Sequence, residues 1–376
     1  MNAVSNYRSD ISMGVVSILP KTDSMKGFLA PLLGRVAPTG SFSLPGDITD
    51  QSRVLVIDSG DLTEILFFSP VISYLKNRYP GMRVTFLVRE GNSELVRSLS
   101  QVNEMITYEP SHLSLSSTTF FSLLKRIRSR DFNVAFLLGN EFNLPRALLA
   151  ILGGAKIRVG YSGQNSFPYV NCEIRIGKST MYQGLKSRSF LTALGLNVGD
   201  PLPAWELAEQ DIRWAKQLIH FHKPEKDTRL IAVDPGLGKG DHRLVDESFT
   251  YLVNQLARRM PSKVLVVSNN LDKKRLDQFK TKLPNLLLDI EPKNAKEGIA
   301  LLSCADFFLS GNTDYFHFAV SMRIPTVGLF TRHDDANWFP KGTPWVQILQ
   351  GVKGQRLSLE EFNSKIDTLL HFTGVE

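Results

Sequence analysis

Three short stretches of the chain gather side chains whose types and spacing could do chemistry. The first, DSGDLTEILFFSP at residues 58–70, places three acidic residues within seven positions, just after an apolar run and at the start of a helix. Asp61 followed three places later by Glu64 satisfies a helix capping box in its aspartate form, which accounts for both residues without chemistry. The alternative is that one of these carboxylates faces a cleft and removes a proton as a general base. On spacing alone both readings stand.

The second stretch is DPGLGKGDHR at residues 234–243. Its glycines let the backbone approach a ligand closely, and Lys239, His242 and Arg243 can meet phosphate charge. The competing reading is a solvated turn. The third is LSGNTDYFHFAVSMRIPTVGLF at residues 309–330. A strand is expected to end at Ser310, and Asn312 or Thr313 to begin a helix whose free N–H groups form an anion site. His317 then lies one turn inside that helix, flanked by Tyr315, Phe316 and Phe318. It is either a packing histidine on an apolar face or a member of the site.

Neither half carries a G-x-G-x-x-G after its first strand or a Gly-Lys-Ser/Thr loop, so a nicotinamide, flavin or Walker-type site is not expected. No Asp-x-Asp motif or cysteine–histidine pattern suggests a bound metal.

The elements that must position these loops follow a regular alternation. Short β-branched runs at 53–58, 83–88, 105–108, 133–138 and 157–163 are separated by helical stretches. The pattern weakens through GDPLPAWELAEQDIRW (199–214), read as a linker feeding a helix. It restarts with strands at 229–236, 263–270, 285–290, 306–311 and 325–330, and a helix at 248–260. Such alternation predicts an α/β protein of two doubly wound, Rossmann-like parallel sheets, with ligands at the strand carboxyl ends facing a cleft between them. SLEEFNSKIDTLLHF (358–372) is a closing amphipathic helix, with Ser358 as N-cap and Glu361 completing its capping box.

With 376 residues, two cores of ordinary size are expected. Hydrophobic content of 43% and charged content of 22% describe a folded chain. The net charge of +7 either favours anionic partners or is a mildly basic surface with no specific partner. No Lys/Arg run interleaved with aromatics points to nucleic acid. Cys172 and Cys304 read as reduced core thiols. No apolar run reaches the roughly 18 residues that span a bilayer, and the N-terminus lacks a signal-peptide pattern, so a cytoplasmic protein is expected. Within the irregular first 50 residues, MKGFLAPLLGRVAPTG (25–40) is either a short membrane-surface helix or an arm packed on the first domain.

The first strand-turn-helix with Pro70, the stretch DFNVAFLLGNEFNLPRALLAILGGAKIRVGYSG (131–163), the Pro235-Gly236 turn, and GNTDYFHFAVSMRIPTVGLFTRHDDANWFP (311–340) together resemble the heptosyltransferases of bacterial lipopolysaccharide synthesis, glycosyltransferase family 9. The resemblance covers about residues 52 to 345. It implies a GT-B fold: an N-terminal extension (1–50), an acceptor-binding domain (51–205), a nucleotide-sugar-binding domain (206–350) and a C-terminal helix (351–376).

Carried over by position, the family's catalytic aspartate, six residues before a proline, falls on Glu64, counted back from Pro70; Asp61 is then the cap. The family's lysine, seven residues after the proline of its Pro-Gly turn, falls on His242, with Arg243 as basic neighbour and Lys239 within reach of the same phosphates. The family's Asp-Thr-Gly becomes Asn312-Thr313-Asp314, and His317 is retained. Asp334 matches an acidic position near the donor sugar.

The resemblance implies an inverting, metal-independent glycosyltransferase that needs no cofactor. It would move a heptose-like sugar from a nucleotide-diphospho-sugar, ADP-linked, to an anionic glycolipid or glycan acceptor, in peripheral contact with the inner membrane. The departures at Glu64, His242 and Asn312-Thr313-Asp314 define an alternative: a non-catalytic relative that keeps the fold as a binding or assembly module.

Overall fold

The computed structural model describes residues 41–139, 142–161, 166–174, 182–196, 205–223, 227–235, 246–268, 273–283, 285–331, 336–351 and 358–373. The first sheet begins with β1 (Arg53–Ile57), whose Val54 to Ile57 are all buried. A strand covered on both faces needs apolar side chains at successive positions, and VLVI supplies them. Around it stand β2 (Arg83–Arg89), β3 (Glu104–Tyr108), β4 (Val134–Leu137), β5 (Ile157–Tyr161) and β6 (Cys172–Ile174). All are parallel, in the order β3-β2-β1-β4-β5-β6.

The second sheet contains β7 (Arg229–Asp234), β8 (Ser262–Val266), β9 (Phe307–Ser310), β10 (Thr326–Thr331) and β11 (Val346–Gly351), in the parallel order β11-β10-β9-β7-β8. In each sheet the strand order reverses once, between β1 and β4 and between β7 and β9. Doubly wound sheets bind ligands in the crevice at that reversal. The three stretches singled out from the sequence all leave strands bordering the reversals.

Two differences from the sequence reading concern the sheets. Residues 285–290 were expected to form a strand but make one bridge, Val264 to Leu287. β6 and β11 had not been expected, since CEI is too short and VQILQG too mixed to stand out. The closing helix is placed as expected: it runs Leu359–Thr373, with the Ser358 hydroxyl accepting from Glu361 N at 3.2 Å.

Helix α1 (Leu62–Arg78) follows β1 and is buried along most of its first eleven residues. It tolerates Pro70 in its interior for a specific reason. Proline lacks the N–H that would bond the Leu66 carbonyl, and the Ser69 hydroxyl donates to that carbonyl instead, at 2.8 Å. On the same side lies α5 (Lys186–Ala193), and in the second half α10 (Asp314–Ser321); α1 packs on both. Between α1 and α5 the chain forms α2 (Ser93–Arg97), α3 (Thr118–Arg128) and α4 (Leu144–Leu152). Between α5 and α10 it forms α6 (Glu209–His222), α7 (Asp246–Arg259), α8 (Lys273–Lys282) and α9 (Ala295–Leu302).

One apolar cluster runs through both halves, from Val54, Phe67 and Phe86 to Phe308, Phe316 and Phe318. The outer face of each sheet has its own cluster. Residues 41–50 join the first half through the buried Ile48; the stretch 25–40 lies outside the described residues. Cys172 and Cys304 are free and half-buried, packed against the shared cluster, and burial pushes both thiols up. No helix among the described residues is long and apolar enough to cross a membrane.

Candidate active site at the junction of the two sheets

β1 ends in Asp58, which is fully buried. Its carboxylate accepts from Gly60 N at 2.8 Å and Arg89 N at 3.2 Å, with Asn92 Nδ2 at 3.4 Å. Burial pushes this carboxyl up, while those bonds and the nearby Arg146 pull it down. Gly60 turns the chain with a φ of +88°, which side-chain-bearing residues adopt rarely. The carboxylate thus holds the turn that aims the start of α1.

Asp61 is the N-cap of α1, its side chain accepting from Thr63 N at 3.1 Å. Glu64, in the first turn, reaches away from the cap. Its Oε1 accepts from Lys186 Nζ at 3.1 Å, and both side chains are at least nine-tenths buried. The capping reading therefore holds for Asp61, and Glu64 belongs to a different structure.

That structure has aromatic walls. Lys186 Nζ lies 5.6 Å from the centre of the Tyr161 ring and 5.9 Å from that of Trp338. The Tyr161 hydroxyl is buried with no hydrogen-bond partner among the described residues. Burial, with the Glu64 charge adding to it, pushes that phenol well above its usual range.

On the opposite side, β7 and β9 bring Asp234 and Ser310 into register at the sheet's carboxyl edge. Thr313 caps α10: its hydroxyl receives Phe316 N at 3.4 Å and lies 2.9 Å from the Ser310 hydroxyl. Asp314 is the first helical residue and accepts a hydrogen bond from the Thr63 hydroxyl, so the N-termini of α1 and α10 are directly joined. His317 is 2% exposed. Its Nδ1 is 2.8 Å from the Tyr182 hydroxyl, and its ring packs against Phe67, Tyr182, Phe316 and Trp338.

Of the residues singled out from the sequence, Asp61, Glu64, Thr313, Asp314 and His317 come together at this junction. Asn312 lies in the turn before α10. Lys239, His242, Arg243 and Asp334 lie outside the described residues. Sequence reasoning missed Lys186, Tyr161, Tyr182, Trp338 and Thr63. No local signal could have found Lys186, which lies 122 positions from Glu64. Among the described residues, no group of three or more His, Cys, Asp or Glu is arranged to hold a metal ion.

The model of glycosyltransferase family 9 (heptosyltransferase) matches residues 120–364. The lipopolysaccharide core heptosyltransferase OpsX of Haemophilus influenzae is 24% identical over 283 residues, covering 72% of this chain and 76% of that protein. Among solved structures, a glycosyl transferase family 9 protein from Veillonella parvula superposes with a TM-score of 0.74 at 16% identity, over 87% of this chain and 99% of that one. The E. coli ADP-heptose lps heptosyltransferase II superposes with a TM-score of 0.68 at 16% identity, over 86% and 99% of the two chains. These superpositions identify the two-sheet architecture as GT-B.

Proposed function

The chain belongs to glycosyltransferase family 9 (heptosyltransferase), and from that premise we propose that it transfers a heptose-like sugar from an ADP-linked donor to a hydroxyl of a lipopolysaccharide-type acceptor. Residues 51–205 would receive the acceptor and residues 206–350 the donor. The observation that carries this reading is the Thr63–Asp314 hydrogen bond, which joins the helices leaving the two strand-order reversals, with Glu64 next to Thr63 in the first turn of α1 and its carboxylate held by Lys186.

In the proposed reaction Glu64 takes the proton of the acceptor hydroxyl. The acceptor oxygen bonds to the anomeric carbon from the face opposite the leaving group, inverting its configuration. The bond from that carbon to the diphosphate oxygen breaks, and its electron pair leaves with ADP. Lys239, His242, Arg243, Asn312, Thr313 and the N-terminus of α10 would stabilise the charge growing on the diphosphate without a metal ion. Asp314, His317 and Asp334 would border the donor sugar or nucleotide. The work would be done at the cytoplasmic face of the inner membrane, in peripheral contact with it, a reading that the family likeness supports. Names borne by relatives support an ADP-heptose donor and a lipopolysaccharide core acceptor.

The test is turnover of ADP-heptose on a heptose-free lipopolysaccharide core acceptor, by ADP release and product mass. A general base contributes about 10²- to 10⁴-fold, so Glu64→Gln should lower kcat by that amount. Asp61→Asn should leave it within a few-fold. The reverse ranking would overturn the assignment of Glu64.

A second reading, a non-catalytic binding module, is favoured by one observation: Asp314, a carboxylate, occupies the first position of α10 and is engaged by Thr63. An anion there opposes a diphosphate at the same helix end. Thermal melts with ADP, UDP, GDP and CMP, with and without magnesium, separate the two. ADP at 100 times its dissociation constant should add about 2.7 kcal/mol, and silence with every nucleotide favours the module.

A further inference from the structure

We propose that Lys186 is a positioning residue for Glu64: it pins one carboxylate oxygen so that the other is presented to the acceptor hydroxyl. This rests on the transferase reading above and names a residue that reading does not require.

Three observations carry it. First, the ion pair is specific in geometry. Lys186 Nζ donates to Glu64 Oε1 at 3.1 Å, with side chains only 4% and 9% exposed. No hydrogen-bond partner among the described residues engages Oε2. A glutamate has one more rotatable bond than an aspartate, so a base of this type needs an external constraint to hold its oxygen in one place.

Second, Lys186 stands where the local electrostatics of its own helix disfavour it. It is the first residue of α5, entered through the 3-10 turn Gln183–Leu185, and a cation near the start of this helical run opposes its dipole. The preceding residue, Leu185, supplies no side-chain cap. Residues that break a local rule tend to mark functional positions. The ammonium is held instead by Glu64 and by the faces of Tyr161 and Trp338, which attract cations.

Third, the Tyr161 hydroxyl is buried beside the pair and has no partner among the described residues. A buried hydroxyl left without a hydrogen bond is costly. An acceptor sugar hydroxyl arriving at Glu64 Oε2 would be within the same polar enclosure and could satisfy it. The ammonium that bonds the Glu64 carboxylate thus lies beside both the Tyr161 ring and the Trp338 ring.

The experiment is a double-mutant cycle on the full chain, with ADP-heptose and the heptose-free core acceptor. A misplacement of about 1 Å can cost about 100-fold in rate, so Lys186→Met should lower kcat by that order while KM for ADP-heptose changes less than about threefold. In a Glu64→Gln background the same substitution should change kcat by less than about threefold, because Lys186 acts through Glu64. Lys186→Arg, which keeps the charge, should restore at least a tenth of wild-type kcat.

Lys186→Met can also unfold the protein by leaving Glu64 buried and unpaired. The double variant removes both charges, and Lys186→Arg keeps both, so melts of these two keep the test decisive. Losses that multiply in the cycle, or a folded Lys186→Met with normal kcat, overturn the inference and leave the transferase reading intact. No turnover and no ADP binding by the wild-type protein overturn the transferase reading, and this inference with it.

Discussion

The Thr63 hydroxyl donates to the Asp314 carboxylate across 251 positions of sequence, joining the first turns of the two helices that follow the central strands of the two sheets. The contact couples the geometry of the loop after β1 to that of the loop after β9. Asp314 also puts a carboxylate at the helix end proposed above for the donor diphosphate.

Asp314→Asn should therefore tighten ADP binding. Removing one negative charge near a diphosphate is worth about 1 kcal/mol in a partly solvated site, or roughly fivefold in Kd. The asparagine oxygen still accepts from Thr63, so the melting temperature should fall by no more than about 2 °C. Calorimetry with ADP checks both halves, and unchanged or weaker binding would place the diphosphate elsewhere.

Tyr182→Phe removes the phenol that meets His317 Nδ1 at 2.8 Å in a fully buried setting. Burial pushes this phenol well above its usual range, so it stays protonated across the neutral and mildly alkaline range. Losing a buried hydrogen bond costs about 1 to 3 kcal/mol, which should lower the melting temperature by several degrees at every pH from 6 to about 9. A shift that appeared only on one side of neutrality would mean that the imidazole, and not the phenol, controls the junction.

Asp61→Ala tests the cap. Loss of an N-cap side chain costs about 1 kcal/mol, and denaturant melts should show this at neutral pH. Because α1 also carries Glu64, a small fall in kcat is expected, far below that of Glu64→Gln. Equal losses in the two variants would show that Asp61 itself reaches the substrate.

Glu104 and Arg130 form a partly exposed pair, with side chains 39% and 29% accessible. The guanidinium hydrogen bond holds the Glu104 carboxyl below its usual range. The folded value is lowered, so the stabilisation is complete above the unfolded glutamate range and is lost as pH falls through the folded value. Solvent screening limits it to about 1 kcal/mol or less. Glu104→Gln should melt slightly earlier than wild type at neutral pH and match it in strong acid; a gap that widened in acid would contradict this sign.

Which residues lie inside the elements, and what kind of fold they build, was determined by the sequence itself. Runs such as VLVI in β1 and IAV in β7 have one stable environment, a parallel sheet covered on both faces, and their alternation with amphipathic helices leaves a doubly wound arrangement. Capping by Asp61 and Ser358 was legible for the same reason, since a cap is settled within four residues, while the choice between Asn312 and Thr313 fell to Thr313 only in the structure. The short strands β6 and β11 were not legible, because their pairing partners, and not their own patterns, make them strands. What only the tertiary structure decided is the environment of Glu64. Spacing left it as either cap or base, and both depend on where its carboxylate points. That direction is set by Lys186, whose ammonium lies in turn beside the Tyr161 and Trp338 rings, and none of these residues is near Glu64 in sequence. A buried charge takes its partner from whatever the packing brings beside it, and packing between two sheets has no signature within either local sequence.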